Sequence, residues 1–254
     1  MFFNQRAYIG IDLTGKKAFT YAVLDDDLGL LALSGGEMED LLAFIGGQAS
    51  VVVAINAPAR PNQGRVKSLL EQESLASGKS APRGADMRLS EYELRQRGIK
   101  VAATPSHPKH CVSWMRSGFA LYEKLTSLGF SSYPVDDASY QVLETHPQAA
   151  FSAMTEGSLL SASTLEGRLQ RQTVLYGEGL GIRDGMEFFE EITRHKLRQG
   201  ILPFEQIYDS SQLDALLAAY TAWLAATKPT SMVALGDWDE GKVYLPVREL
   251  KSRY

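Results

Sequence analysis

The sequence predicts an α/β fold: a mixed sheet, three antiparallel strands followed by parallel ones, flanked by helices, with a long insertion and a helical C-terminal half. Three observations predict it. Short apolar runs come first, in the order strand, strand, strand, helix, strand. Three of the runs in the chain stop at oxygen-bearing side chains. A late helix, 209–226, is apolar on nearly every side and needs a sheet to cover it.

Residues 7–14, 17–25 and 28–34 read as three strands joined by turns at Gly15-Lys16 and Asp25-Asp26-Asp27. Alternation is clearest in Ala18-Phe19-Thr20-Tyr21-Ala22-Val23-Leu24. A helix follows at about Met38 to Gly47, with Leu41, Leu42 and Ile45 on one face. Ser50-Val51-Val52-Val53-Ala54-Ile55 is a continuous apolar run, the mark of a parallel strand covered on both faces. Residues 59–111 read as a polar insertion. Within it, Ser77-Gly78-Lys79-Ser80-Ala81-Pro82-Arg83-Gly84 predicts a loop. Ser90-Glu91-Tyr92-Glu93-Leu94-Arg95 predicts a short helix with Ser90 as N-cap and Glu93 three residues on.

A second helix, 113–128, stops at Gly129, and Tyr140-Gln141-Val142-Leu143 reads as the next strand. Helices near 148–154, 163–177, 184–198 and 209–226 follow, the last opened by an Asp209 and Gln212 capping box. Met232 to Leu235 and Lys242 to Leu245 flank Gly236-Asp237-Trp238-Asp239-Glu240-Gly241 and predict a hairpin whose loop acids lie at the surface.

Composition narrows the function classes. The 254 residues, 44% of them hydrophobic, suit one domain spanning 1–254 with a sizeable core. A single cysteine, Cys111, excludes an intramolecular disulfide and fits a reducing compartment. The start, Met1 to Arg6, lacks a secretory pattern. The longest apolar stretch, Ala215 to Ala226, is too short to span a bilayer. The expectation is a soluble cytoplasmic protein with no membrane partner. From Ala57 to Lys124 the chain has 12 Lys and Arg against 6 Asp and Glu, or +6; against a total of −4, the remainder is −10. That basic segment either meets phosphates or forms solvated helix faces.

The oxygen ligands suggest chemistry. Ile9-Gly10-Ile11 ends at Asp12, Val53-Ala54-Ile55 at Asn56, and Val142-Leu143 at Glu144, while Asp214 is the one charge inside the apolar helix. Carboxylates that converge repel each other unless divalent cations neutralise them. Hard oxygen donors suit Mg²⁺ or Mn²⁺, and such ions hydrolyse phosphodiesters. Acids on the first strand, a later strand and a C-terminal helix have the order of the ribonuclease-H-like fold. Each has a plainer reading: Asp12 caps a turn, Asn56 is a turn residue, Glu144 caps the helix beginning at Pro147, and Asp214 complements a helix dipole. His107, His110 and Cys111 lack a fourth ligand at metal spacing and read as a polar loop.

The chain resembles an uncharacterised family of predicted ribonuclease-H-like nucleases, a domain of unknown function. The matching stretches are Gly10 to Gly15; Ala54 to Pro58; Arg88 to Glu91, Leu94-Arg95 and Gly98-Ile99; Thr104-Pro105-Ser106; Glu144 to Pro147 with Ala149-Ala150-Phe151; Gly167-Arg168 with Arg171; Asp214-Ala215 with Ala218-Ala219-Tyr220; and Glu240-Gly241 with Pro246. The resemblance implies a metal-dependent nuclease acting on DNA or RNA, with Asp12, Glu144 and Asp214 catalytic and binding Mg²⁺ or Mn²⁺ together with Asn56. The family typically has Asp where this chain has Asn56, which weakens a second cation site. Thr14, Arg88, Arg95, His146, Arg168 and Arg171 are candidate substrate-binding residues, with Lys109 a further phosphate contact.

Two alternatives stay open. Asp12-Leu13-Thr14-Gly15 followed by Lys16 also resembles the phosphate-binding hairpin of actin-like and sugar-kinase ATPases, implying a nucleotide-binding or phosphotransfer protein. Asn56 also suits a non-catalytic member that binds nucleic acid. Oligomeric state is not legible in the sequence.

Overall fold

The computed structural model describes residues 6–13, 19–77, 86–191 and 197–254. Among them is a mixed eight-stranded sheet: β1 (Ala7–Asp12), β2 (Phe19–Leu24), β3 (Leu30–Gly36), β4 (Val51–Asn56), β5 (Ser131–Ser132), β6 (Tyr140–Thr145), β7 (Val233–Leu235) and β8 (Val243–Leu245). The order is β3-β2-β1-β4-β6-β8-β7, with β5 also paired to β6. β2 is antiparallel to both neighbours, β1, β4, β6 and β8 run parallel, and β7 returns antiparallel.

β1 and β4 are buried at every position, so period-two alternation divides the core into two. Ile9, Ile11, Val53, Ile55 and Val142 face α1 (Met38–Gly46) and α4 (Ser113–Ser127) through Leu41, Ile45, Leu121 and Leu125. Tyr8, Val52, Ala54 and Leu143 face the opposite layer, built on α8 (Ser210–Thr227) and Phe151 of α5 (Pro147–Met154). This explains the continuous apolar runs: helices cover the central strands on both sides.

α8 is the helix that the sequence shows best. Asp209 Oδ1 accepts from Gln212 N at 2.8 Å and Gln212 Oε1 accepts from Asp209 N at 2.9 Å. From Leu213 to Ala225 every residue except Asp214 is buried. The helix lies directly on β1 because Gly10 has no side chain. A Cβ there would stand 2.0 Å from Ala215 O and 2.1 Å from Ala219 N.

Several expectations are corrected. The insertion holds two helices, α2 (Arg65–Ser77) and α3 (Leu89–Gln96), where the sequence predicts only the second. α3 begins one residue before Ser90, so Arg88 is its N-cap and Glu91, not Glu93, its third residue. The third strand starts later, at Leu30, because Asp25 to Gly29 form a turn in which Asp25 Oδ1 accepts from Gly29 N at 2.7 Å. Of the helix expected over 184–198, α7 (Glu187–Glu191) and a 3₁₀ turn at Leu197–Gln199 are described, and 192–196 lie outside the described residues. α6 spans Leu165–Gly177. The hairpin forms, but Glu240 in its loop is fully buried. The Gly15-Lys16 turn and the 78–84 loop lie outside the described residues. Among the described residues no helix is long and apolar enough to cross a membrane.

Candidate functional site

Asp12 closes β1 and Asn56 closes β4, and the parallel register sets them side by side. Asn56 Nδ2 donates to Asp12 Oδ1 at 2.7 Å, and both residues are buried. The alternation that sends Tyr8 and Ala54 toward α8 sends Asp12 and Asn56 the same way. α8 brings the third group. Ala215 packs on Gly10, so the preceding residue, Asp214, stands over the end of β1. Burial first, and the Asp12 charge second, raise the Asp214 carboxyl to about 8, against the pull of Arg171.

Arg171, on α6, is a fixed cation beside Asp214. Its Nη1 donates to Leu160 O at 2.8 Å and Gly167 O at 2.9 Å, and its Nη2 to Gln148 Oε1 at 3.0 Å. The guanidinium lies 5.4 Å from the Phe151 ring centroid. Burial lowers its pKa and Asp214 opposes that. Its Nε, like Arg168 Nε, is buried without a hydrogen-bond partner.

Glu144 belongs to a second cluster. It is the penultimate residue of β6 and pairs in register with Ile55, not Asn56. One residue of offset turns a strand side chain to the other face. Glu144 therefore lies on the α4 side, where Tyr122 is its neighbour: burial, and then the Glu144 charge, raise the Tyr122 phenol. Both carboxylate oxygens are taken. Arg88 Nη1 and Ala59 N donate to Oε2 at 2.8 Å and 2.9 Å, and Arg88 Nη2 donates to Oε1.

Arg88 is itself buried and ties the cluster together. Its Nε donates to Glu91 Oε1 at 3.0 Å and its Nη1 to Glu240 O at 3.2 Å. Glu91 accepts from Thr104 N at 2.8 Å and from the Thr104 hydroxyl. Glu240 accepts from Gln63 N at 2.8 Å and Leu89 N at 2.7 Å. Burial pushes the Glu144 carboxyl up, and Arg88 opposes it. Burial also works against the Arg88 charge, but Glu144 and Glu91 outweigh it and the guanidinium stays protonated. Sequence reasoning missed the pairing of Arg88 with Glu144 and the burial of Glu240. The signals for the latter were an acid between a turn and a glycine, and the family match at Glu240-Gly241.

His146 caps α5, its Nδ1 accepting from Ala149 N at 3.3 Å, which leaves the proton on Nε2. Burial lowers its pKa to about 4, so the ring is neutral near pH 7. Arg95 donates through Nε and Nη2 to Val101 O at 3.2 Å and 2.8 Å, so it braces its own loop. Lys109 is exposed. Thr14 lies outside the described residues. Cys111 is buried and its thiol donates to Pro105 O and His107 O, each at 3.7 Å.

Asp12, Asp214 and the Asn56 amide oxygen are the set here that could hold a hard cation, since oxygen donors are what Mg²⁺ or Mn²⁺ take. Glu144 does not complete it, because Arg88 already neutralises that carboxylate. Among the described residues no group of three or more His, Cys, Asp or Glu is arranged to hold a metal ion.

Comparison with known proteins adds a family. Residues 10–234 match the family model described as "Protein of unknown function (DUF429)". No curated protein and no solved structure gives a match.

Proposed function

We propose, for a chain that belongs to the DUF429 family, a ribonuclease-H-like fold and a divalent-metal-dependent phosphodiesterase activity on nucleic acid. The observation that carries the proposal is the interaction of Asp12 with Asp214: α8 packs on β1 at Gly10, and the charge of the acid that ends β1 acts on the acid of the helix. The run β3-β2-β1-β4-β6, with β2 alone antiparallel, supports the fold assignment.

Asp12, Asp214 and Asn56 would hold one Mg²⁺ or Mn²⁺. When bound, such an ion lowers the pKa of a water and neutralises charge on a phosphate oxygen. The chain's own residues do the rest. The Asn56 N–H fixes the Asp12 carboxylate, and the buried Arg171 charge favours ionised Asp214. The Arg88 fork anchors the insertion to Glu144 of β6, and the same carboxylate accepts from Ala59 N, three residues beyond Asn56. The basic balance of residues 57–124 supports a polyanion as substrate, with Arg65, Arg88 and Lys124 paired instead to Asp237, Glu144 and Glu39. With Asn56 uncharged and Glu144 neutralised, the proposal is for one cation rather than two.

The test is incubation of labelled DNA and RNA oligonucleotides with Mg²⁺ or Mn²⁺, comparing wild type with Asp12→Ala and Asp214→Ala. Cleavage by the wild type that both substitutions abolish is expected. Absence of cleavage by the wild type with either ion overturns the nuclease proposal. Nucleic acid bound but uncut is what the non-catalytic alternative gives.

A further inference from the structure

A cavity opens on the far side of the Glu144 cluster, at a break in the sheet. β5 pairs with β6 at Gln141 and Val142, and β8 pairs with it at Glu144 and Thr145. Both lie on the edge of β6 away from β4, and neither covers Leu143. The gap holds a cavity of about 100 Å³, reaching in to Leu143 and Glu144. Its walls are aromatic and its rim is cationic. Tyr133 and Tyr244 meet edge to face at 5.1 Å between ring centroids, with Tyr122 beside them. Arg60, Lys242 and Trp238 complete the lining.

Trp238 is the most exposed of the large apolar side chains among the described residues. It is 57% exposed at the cavity mouth, with Lys242 Nζ 4.1 Å from its ring centroid. An exposed indole with Lys242 against its ring, and Arg60 in the same lining, has the chemistry that single-stranded nucleic acid uses: stacking for a base, positive charge for the backbone. Asp237 and Asp239, on either side of Trp238, are tied to Arg65. Size restricts the base. A dry cavity of roughly 150 Å³ accepts a benzene ring; this one, about 100 Å³ and open at one side, is nearer the size of one ring than of a fused pair. Position fits as well. Ala59, in the cavity lining, is three residues beyond Asn56, hence within roughly 11 Å of it along the chain.

We infer that this cavity binds the pyrimidine base of a nucleotide in a single strand, stacked on Trp238, with Arg60 and Lys242 on the adjoining phosphates. The inference rests on the nuclease proposal for its polymer. It makes single-stranded, pyrimidine-bearing nucleic acid the substrate class of the Asp12 and Asp214 site.

The experiment measures anisotropy of labelled oligothymidylate, oligoadenylate and duplex DNA in chelating buffer, where binding is read without cleavage. Wild type should bind oligothymidylate more tightly than oligoadenylate or duplex. Trp238→Ala, an exposed substitution, should weaken oligothymidylate binding by about tenfold or more. Lys242→Ala should flatten its salt dependence. No binding by wild type, unchanged affinity in Trp238→Ala, or preference for oligoadenylate overturns the inference. Thymidine monophosphate bound as tightly as the strand overturns the assignment to a strand. Binding that needs Trp238 without cleavage in any metal leaves the cavity assignment standing and removes the nuclease. Metal-dependent cleavage indifferent to Trp238→Ala does the reverse.

Discussion

Replacing Asp214 by Asn should change how stability depends on pH. The Asp214 carboxyl stands near 8 in the folded chain, through burial and then the charge of Asp12, against roughly 3.9 when unfolded. A folded pKa above the unfolded one stabilises the chain fully below the unfolded value. That stability drains away as pH rises to the folded value. The slope is at most about 1.4 kcal/mol per pH unit. Asp214 is only partly buried, so between pH 5 and pH 8 the loss should come to about 2–4 kcal/mol. Asn keeps the shape and cannot ionise. In urea unfolding with chelator present, Asp214→Asn should therefore gain on the wild type by that amount across the interval, whatever its offset at pH 5. Parallel profiles for the two proteins would refute the raised Asp214 pKa.

Other perturbations follow from the same geometry. Gly10→Ala drives a methyl into the backbone of α8 and should cost about 3 kcal/mol or more, the upper end of overpacking; thermal melts read it, and a neutral result would mean that α8 does not rest on β1. Arg88→Ala leaves Glu144 and Glu91 buried without their cation and should cost about 3–5 kcal/mol by denaturant unfolding. Joint replacement of Arg88 and Glu144 should be less costly than Arg88→Ala with Glu144 retained, since it strands no charge on Glu144. Asn56→Asp adds a charge to the Asp12 site and should tighten Mn²⁺ binding about tenfold, equivalent to about 1.4 kcal/mol, while lowering stability in chelator. Calorimetry showing no gain in affinity would place Asn56 outside the cation's reach.

The sheet and its largest helix were legible because their signals are local. Residues 51–55 are apolar throughout, and α8 carries its capping box and its buried faces in one stretch. Asp12 and Asn56 were legible as a pair because each is the final residue of its strand. Glu144 was misplaced by one residue of register. The apolar run ends at Leu143, but β6 continues to Thr145 through hydrogen bonding to β8, far away in sequence. An apolar run shows where burial stops, not where pairing stops, and a single step decides the face. Arg88 was hidden for a related reason. Its partners Glu144 and Glu240 lie 56 and 152 residues away, and nothing local distinguishes a buried guanidinium from a phosphate-binding one.

The most direct test of the central claim is calorimetric titration of Mn²⁺ into the wild type and into Asp12→Ala near pH 7. The carboxylate pair predicts saturable binding of about one ion per chain, with release of a proton from Asp214 seen as buffer-dependent heat, and loss of both in Asp12→Ala. Absence of saturable binding in the wild type, or binding that survives Asp12→Ala unchanged, would contradict it.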